Sequence, residues 1–165
     1  MSGRYMAYVG SYSYTGKAKG ITVFDVDVEK GTFKERCEME VNNSSYVIAS
    51  SDGKTLYSIA DEGVVSFRIL QNGALARLNS APIRGMRGCH LCSDLEDKFI
   101  FVSGYHDGKT TILSLNKDGS VGGIVDGVYD KGYGSVAERN FRPHVTCTRR
   151  MPDNKYVLSV DNGVD

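Results

Sequence analysis

The feature of this sequence that most limits its fold is an internal repeat of about 44 residues. In one copy, the turn Asp52–Lys54 is followed by the apolar run Leu56–Ile59. The matching Lys98 lies 44 residues after Lys54 and is followed by the run Phe99–Val102. In a third copy the matching lysine is Lys155. It lies 57 residues after Lys98, so this copy carries 13 residues more than the 44-residue period. A period of this length indicates stacked structural units that bury each other's faces.

Each repeat reads as four short strands. Runs of β-branched and aromatic residues alternate with Asn-Gly and Asp-Gly pairs, which favour hairpin turns, and no run shows the 3.6-residue period of a helix. Four strands per repeat of this length are typical of a β-propeller blade, with strands A to D numbered from the axis outward. The predicted strands are Tyr46–Ser50, Thr55–Ala60, Val64–Ile69 and Leu75–Ala81, then Cys89–Asp94, Phe99–Gly104, Thr110–Leu115 and Val121–Val128, with B strands at Arg4–Tyr12 and Tyr156–Asp161 in the flanking blades.

The pattern predicts an all-β fold of antiparallel four-stranded blades, of which about 3.5 are present. The predicted divisions are residues 1–43, 44–87, 88–141 and 142–165. Even a four-bladed ring needs more strands than this pattern supplies, and an open ring would expose unpaired strand edges. We therefore expect the rest of the propeller to be lost by truncation, to lie on a second polypeptide, or to come from a second copy.

Charge and hydropathy exclude several functions. Twenty basic and twenty acidic residues cancel and are not clustered, which argues against partners that need a positive field, namely nucleic acid and membrane surfaces. No apolar run approaches the length of a membrane-spanning helix, and the first residues lack the apolar core of a signal peptide. We expect a cytoplasmic protein.

The four cysteines are expected to be free thiols. Cys89 and Cys92 have the spacing of a metal-binding pair, but residues three apart on a strand point to opposite faces. No second such pair is present to complete a four-ligand site. We therefore predict neither a metal nor a cofactor.

A cluster of functional side chains lies in the connection that carries the 13 extra residues. Glu138, Arg139, Arg142 and His144 fall within seven residues, between the D strand of one blade and the A strand of the next. The connections from B to C and from D to A leave a blade on the same rim, above the axis. A long loop on a rigid scaffold is where binding groups are commonly placed, so we predict a site there.

Several segments resemble a known family. They are Tyr8–Tyr12, Gly20–Asp25, Cys89–Leu91 and, above all, Glu138–Asn140 followed by Pro143 and His144. At these residues the chain resembles the seven-bladed β-propeller lactonases, which include bacterial 6-phosphogluconolactonases and fungal carboxy-muconate cycloisomerases. The resemblance covers about half of a complete seven-bladed ring. It implies hydrolysis of a lactone, a small anionic sugar-acid derivative, without a cofactor.

Lactone hydrolysis suggests a role for each member of the cluster. His144 is the expected general base, because imidazole titrates near neutral pH. Arg142 or Arg139 would stabilise the developing oxyanion, and Glu138 would orient one of these groups or act as the base. The family's second histidine, two residues after the first, is Thr146 here, which puts catalysis in question.

Further residues on the same rim are predicted to bind the substrate. Arg84 and Arg87 precede the A strand that begins near His90, and a guanidinium binds phosphate or carboxylate in a bidentate manner. His90 lies at an A-strand start, and Tyr12 and Glu62 lie at B-strand ends of the same face.

Two other functions remain open at this stage. On the same scaffold, a muconate-type cycloisomerase would use His144 to shuttle a proton without consuming water. A non-catalytic propeller that binds a partner is the third reading, and fold alone does not choose among them.

Overall fold

The computed structural model describes residues 5–134 and 141–164 of the 165-residue chain. These residues form strands, turns and loops, and no helix. The thirteen strands are β1 (Tyr5–Gly10), β2 (Gly20–Asp27), β3 (Thr32–Glu40), β4 (Val47–Ala49), β5 (Thr55–Ala60), β6 (Gly63–Ile69), β7 (Leu75–Pro82), β8 (His90–Ser93), β9 (Phe99–Gly104), β10 (Lys109–Leu115), β11 (Val121–Tyr129), β12 (Val145–Arg150) and β13 (Val157–Asp161).

The strands form four antiparallel sheets in which each strand pairs with its neighbour in the sequence. Two sheets are complete blades, with the orders β4-β5-β6-β7 and β8-β9-β10-β11. The sheet β1-β2-β3 has three strands, and β12-β13 has two. The prediction of an all-β fold with four-stranded antiparallel blades is confirmed.

Strand ends differ from the prediction mainly at the inner edge of the blades. The innermost strands β4 and β8 are one residue shorter at each end than predicted. β1 ends at Gly10, so Tyr12 lies in the connection rather than in the strand. There the chain turns away, and the amide of Ser13 donates to the side-chain oxygen of Asn43 at 2.9 Å.

The blades are held together by apolar side chains between their faces. Every residue of β5 is buried, because the strand has a neighbouring blade on each side. Tyr57 and Ile59 pack in one core cluster with Leu91 of the following blade, whereas Leu56 packs in a second cluster with Val23 of the preceding blade. Burying one such side chain stabilises a fold by about 1.5–3 kcal/mol. Stacking of the blades is therefore the main source of stability.

The outer blades show what happens without such a neighbour. β13 has the apolar sequence of a core strand, yet Leu158 is 55 % exposed and Val160 is 50 % exposed. Tyr5 and Val9 of β1, at the other end of the described half-ring, are also exposed. Nowhere in residues 5–134 and 141–164 is there a helix of the length and apolarity needed to cross a bilayer.

Candidate functional site

The connections from B to C strands and from D to A strands meet on one rim, called here the upper rim. Hydrogen bonds between these connections show that they converge: the amide of Met86 donates to Asp107 at 3.0 Å, and the amide of Asp130 donates to the carbonyl of Gly108 at 2.9 Å. The upper rim comprises the connections 11–19, 41–46, 61–62, 83–89, 105–108 and 130–144, of which residues 135–140 lie outside the described part of the chain.

His144 immediately precedes the inner strand β12 and is 4 % exposed. Its Nδ1 lies 2.8 Å from the carbonyl oxygen of Tyr105. Since a carbonyl only accepts hydrogen bonds, Nδ1 carries the proton in the neutral ring, and the lone pair lies on Nε2. The ring stacks on that of Tyr105, with centroids 4.3 Å apart and planes inclined by 14°. These contacts fix both the tautomer and the plane of the imidazole.

Asp161, at the end of β13, fixes the backbone of His144. Both carboxylate oxygens accept from the amide of His144 at 2.9 Å, and Oδ1 also accepts from the amides of Gly163 at 2.7 Å and Val164 at 3.2 Å. Three amides on one carboxylate make a strongly bonded corner of the blade. Asp161 thus ties the start of β12 to the segment after β13, and so positions the imidazole.

Asp130 is the second carboxyl at this corner. Partial burial raises its pKa, and the neighbouring Asp161 carboxyl raises it further through charge repulsion and a hydrogen bond to the protonated form. Two carboxyl groups in contact do not both ionise readily. The protonated form is therefore favoured on Asp130, next to the side chain that accepts the three amides.

The other members of the predicted cluster are Arg142, Glu138 and Arg139, and the structure describes only the first of them. Arg142 is exposed, and its guanidinium carbon lies 5.6 Å from the ring centre of Phe141. The ring of Phe141 in turn lies 6.5 Å from that of His144, with the two planes at 86°. Glu138 and Arg139 lie outside the described residues.

Arg87 and Tyr12, both predicted to bind the substrate, are in contact on the upper rim. The guanidinium of Arg87 donates to Asp61 Oδ1 at 2.8 Å and lies 4.9 Å from the ring centre of Tyr12. The other carboxylate oxygen of Asp61 accepts from the side-chain amide of Asn43 at 2.8 Å. This network links the first two blades, and the charge of Arg87 is compensated by Asp61. Arg84, which has a positive φ of 50°, is exposed.

Glu62, in the turn between β5 and β6, is exposed to solvent.

His90, the first residue of β8, is 6 % exposed, and its surroundings differ from those of His144. The amide of Thr148 points at its Nδ1 at 3.4 Å, so Nε2 carries the proton and faces the sulfur of Cys147 at 3.6 Å. The ring of Tyr46 lies 4.6 Å away. Burial lowers the pKa of His90, and the positive charge of Arg149 lowers it further, so the neutral ring is favoured.

The structure thus brings Tyr12 together with Arg87, and places His144 against residues that sequence reasoning did not assign. Asp161 is the last residue of a predicted B strand and Tyr105 directly follows another, but neither residue is predicted from the sequence to position His144. A signal was present: an acidic residue at or shortly after the B strand occurs in three repeats, as Asp61, Asp107 and Asp161. In each case its carboxylate binds a donor from the preceding connection.

Comparison with known proteins gives a consistent result. The sequence-family model described as the seven-bladed β-propeller lactonase matches residues 6–165. The chain is 33 % identical to the 6-phosphogluconolactonase of Bacillus subtilis over 98 % of its own length and 48 % of that protein.

Solved structures show the same fold. A Bacteroides fragilis protein described as a candidate 6-phosphogluconolactonase superposes with a TM-score of 0.91 at 34 % identity, over 98 % of this chain and 46 % of its own. A periplasmic gluconolactonase of Pseudomonas aeruginosa superposes with a TM-score of 0.89 at 22 % identity, over 98 % and 48 %. The chain therefore spans about half the length of the relatives it matches.

The raised pKa of Asp130 leads to a prediction about stability. A carboxyl whose pKa is higher in the folded than in the unfolded state destabilises the fold once it must ionise. Asp130→Asn should therefore increase the free energy of unfolding at pH 7, and the gain should disappear below about pH 3, where both states are protonated. Urea unfolding at the two pH values measures this. A substitution equally stabilising at both, or destabilising at pH 7, would contradict the carboxyl pair.

Proposed function

Because this chain belongs to the family of seven-bladed β-propeller lactonases, we propose that it forms part of an enzyme that hydrolyses a sugar-acid lactone. The observation that carries the proposal is the match to a 6-phosphogluconolactonase over 98 % of the chain. A phosphorylated six-carbon lactone is accordingly the proposed substrate. Its anionic products would be formed without any change of oxidation state.

His144 is the proposed general base. With Nδ1–H bound to the carbonyl of Tyr105, Nε2 carries the lone pair that would accept a proton from water. The water oxygen bonds to the lactone carbonyl carbon, and the proton passes to Nε2. The ring C–O bond then breaks, and the leaving alkoxide takes a proton back from the imidazolium. The bond to Tyr105 is kept throughout, because Nδ1 donates in both protonation states.

The oxyanion formed during this attack requires a positive group. Arg142, two residues before His144 and exposed, is the proposed donor, with Arg139 as the alternative. Glu138 is proposed to orient the arginine. Binding of the substrate on the upper rim is assigned to Arg84, Tyr12, Glu62 and His90; Arg87 is proposed to hold Tyr12 in place.

The departure from the family pattern at Thr146 does not remove the base. The Thr146 hydroxyl donates to the carbonyl of Val160 at 3.1 Å, so it is used in joining β12 to β13. A hydroxyl in that position does not titrate near neutrality. The proton transfer therefore depends on His144, whose backbone and ring contacts involve other residues.

The cycloisomerase alternative uses the same imidazole but consumes no water. Hydrolysis places one oxygen of water in the product carboxylate, so reaction in labelled water distinguishes the two.

We also propose a cytoplasmic location, since all four cysteines are free thiols and such thiols persist in reducing compartments. Recovery of the protein from an oxidising compartment would contradict it.

Replacing His144 tests the proposed base. We expect His144→Gln in the full-length protein to lower kcat on 6-phosphogluconolactone by about 10²–10⁴-fold, the usual contribution of a general base. Asp161 keeps its amide bonds in this variant. The matched control is His106→Gln, because His106 is exposed in the turn between β9 and β10. Equal rates for His144→Gln and the unmodified protein would exclude the assignment, and loss of folding can be checked by circular dichroism.

The open edges of the described half-ring lead to a second prediction. We propose that the free edge of β13 pairs with a further strand of the ring, whether this lies in the same polypeptide, a second chain or a second copy. The exposed apolar side chains of β13 support this, since paired strands elsewhere in the fold bury such residues.

Amide hydrogen exchange of the full-length protein measures this pairing. Amides of β13 should exchange at least about 100-fold more slowly than those of Gln71 and Asn72, two exposed residues in the turn between β6 and β7. The reason is that the β13 amides directed away from β12 would also be bonded. Fast exchange of every second amide in β13 would mean that the edge stays open.

A further inference from the structure

A cavity of about 490 Å³ lies against the inner strands of three successive blades. It is lined by residues at and just beyond the ends of β4, β8 and β12, including Ser51, Ser93, Arg149 and Arg150. His144, by contrast, precedes the start of β12. Five residues of strand separate His144 from Arg149, which corresponds to about 16 Å. The cavity is therefore distinct from the upper rim.

The charge in this cavity has a single sign. Arg149 and Arg150 contribute two positive charges, and no acidic residue of the described chain lines the cavity. Neither arginine has a carboxylate within ion-pair distance in the described residues. Two arginines elsewhere in the fold are compensated by carboxylates, in the pairs Arg36–Asp25 at 2.7 Å and Arg87–Asp61 at 2.8 Å.

The positive charge of Arg149 acts on His90, at the start of β8. This charge lowers the pKa of His90, although burial lowers it more. Arg149 itself is exposed, so its guanidinium is free to bind a solute. An uncompensated positive charge between low-dielectric walls attracts anions more strongly than one on an open surface.

The lining suits one class of anion. A guanidinium presents parallel N–H donors that match a phosphate or carboxylate in a bidentate manner, and the hydroxyls of Ser51 and Ser93 add neutral donors. Two positive charges match a dianion better than a monoanion. The volume lies within the range of small-molecule sites, and is larger than a free phosphate ion requires.

We propose that this axial cavity is a second binding site, which takes the phosphate group of a small phosphorylated molecule on Arg149, with Arg150 adding positive charge. The site does not depend on lactone hydrolysis at His144. Because about 16 Å separates the two positions, a molecule bound here would occupy the axis without blocking His144.

Inorganic phosphate is the probe, and the imidazole of His90 is the reporter. The 165-residue chain has three histidines, so their ring protons are readily assigned by NMR. A phosphate on Arg149 would offset the charge that disfavours the imidazolium form, so saturating phosphate should raise the pKa of His90. Chloride at equal ionic strength should not reproduce the shift, and acetate should bind more weakly than phosphate.

Two substitutions make the test specific. Arg149→Gln should itself raise the pKa of His90 and weaken phosphate binding by about tenfold or more, as expected for loss of a charge-assisted contact. Arg77→Gln removes the same charge from an exposed position on β7. It should leave the pKa of His90 and the affinity for phosphate unchanged. An exposed Arg149 is not needed for folding, so the variant should remain folded.

The proposal would be overturned by a phosphate response that is linear and reproduced by chloride, or by one that is unchanged in Arg149→Gln. Acetate binding as tightly as phosphate would contradict the assignment to a phosphate group. Lactonase activity is not part of the readout, so failure of the His144 mechanism would leave this result standing, and the reverse also holds.

Discussion

The burial of middle strands between two neighbouring blades is the interaction on which the rest of this structure depends. β5 is apolar on both faces because each face belongs to a different core cluster. The stacking sets the direction of every blade, and so brings the starts of β8 and β12 and the connections before them to one rim. The positions of His90 and His144 therefore depend on how the apolar side chains pack between the blades.

Much of the fold could be predicted because its signals are local and repeated. Gly73 and Gly119 occupy hairpin turns with φ of 81° and 85°, where glycine is strongly favoured, and their spacing reveals the period. The ends of the inner strands were predicted less well. Tyr12 lies beyond β1 because Ser13 bonds to Asn43, 30 residues away, and no local pattern encodes such a contact.

The site was predictable as a location rather than as a set of contacts. His144 was identified from its motif and its place at an A-strand start. Its tautomer depends on the carbonyl of Tyr105, which any residue would supply, so sequence gives no sign of it. Arg87 is predicted to bind an anion because arginine is suited to it, and the sequence gives no sign that it pairs with Asp61, 26 residues earlier. Charge compensation between distant residues is a tertiary property.

The central claim is that blade stacking holds the imidazole of His144, the proposed base, with its proton on Nδ1 and its lone pair on Nε2. Long-range ¹H–¹⁵N NMR of the imidazole in the full-length protein, at a pH where the ring is neutral, reports directly which nitrogen carries the proton. The structure predicts protonated Nδ1 and bare Nε2. A ring protonated on Nε2, with Nδ1 bare, would be incompatible with the bond to the Tyr105 carbonyl and would contradict the account.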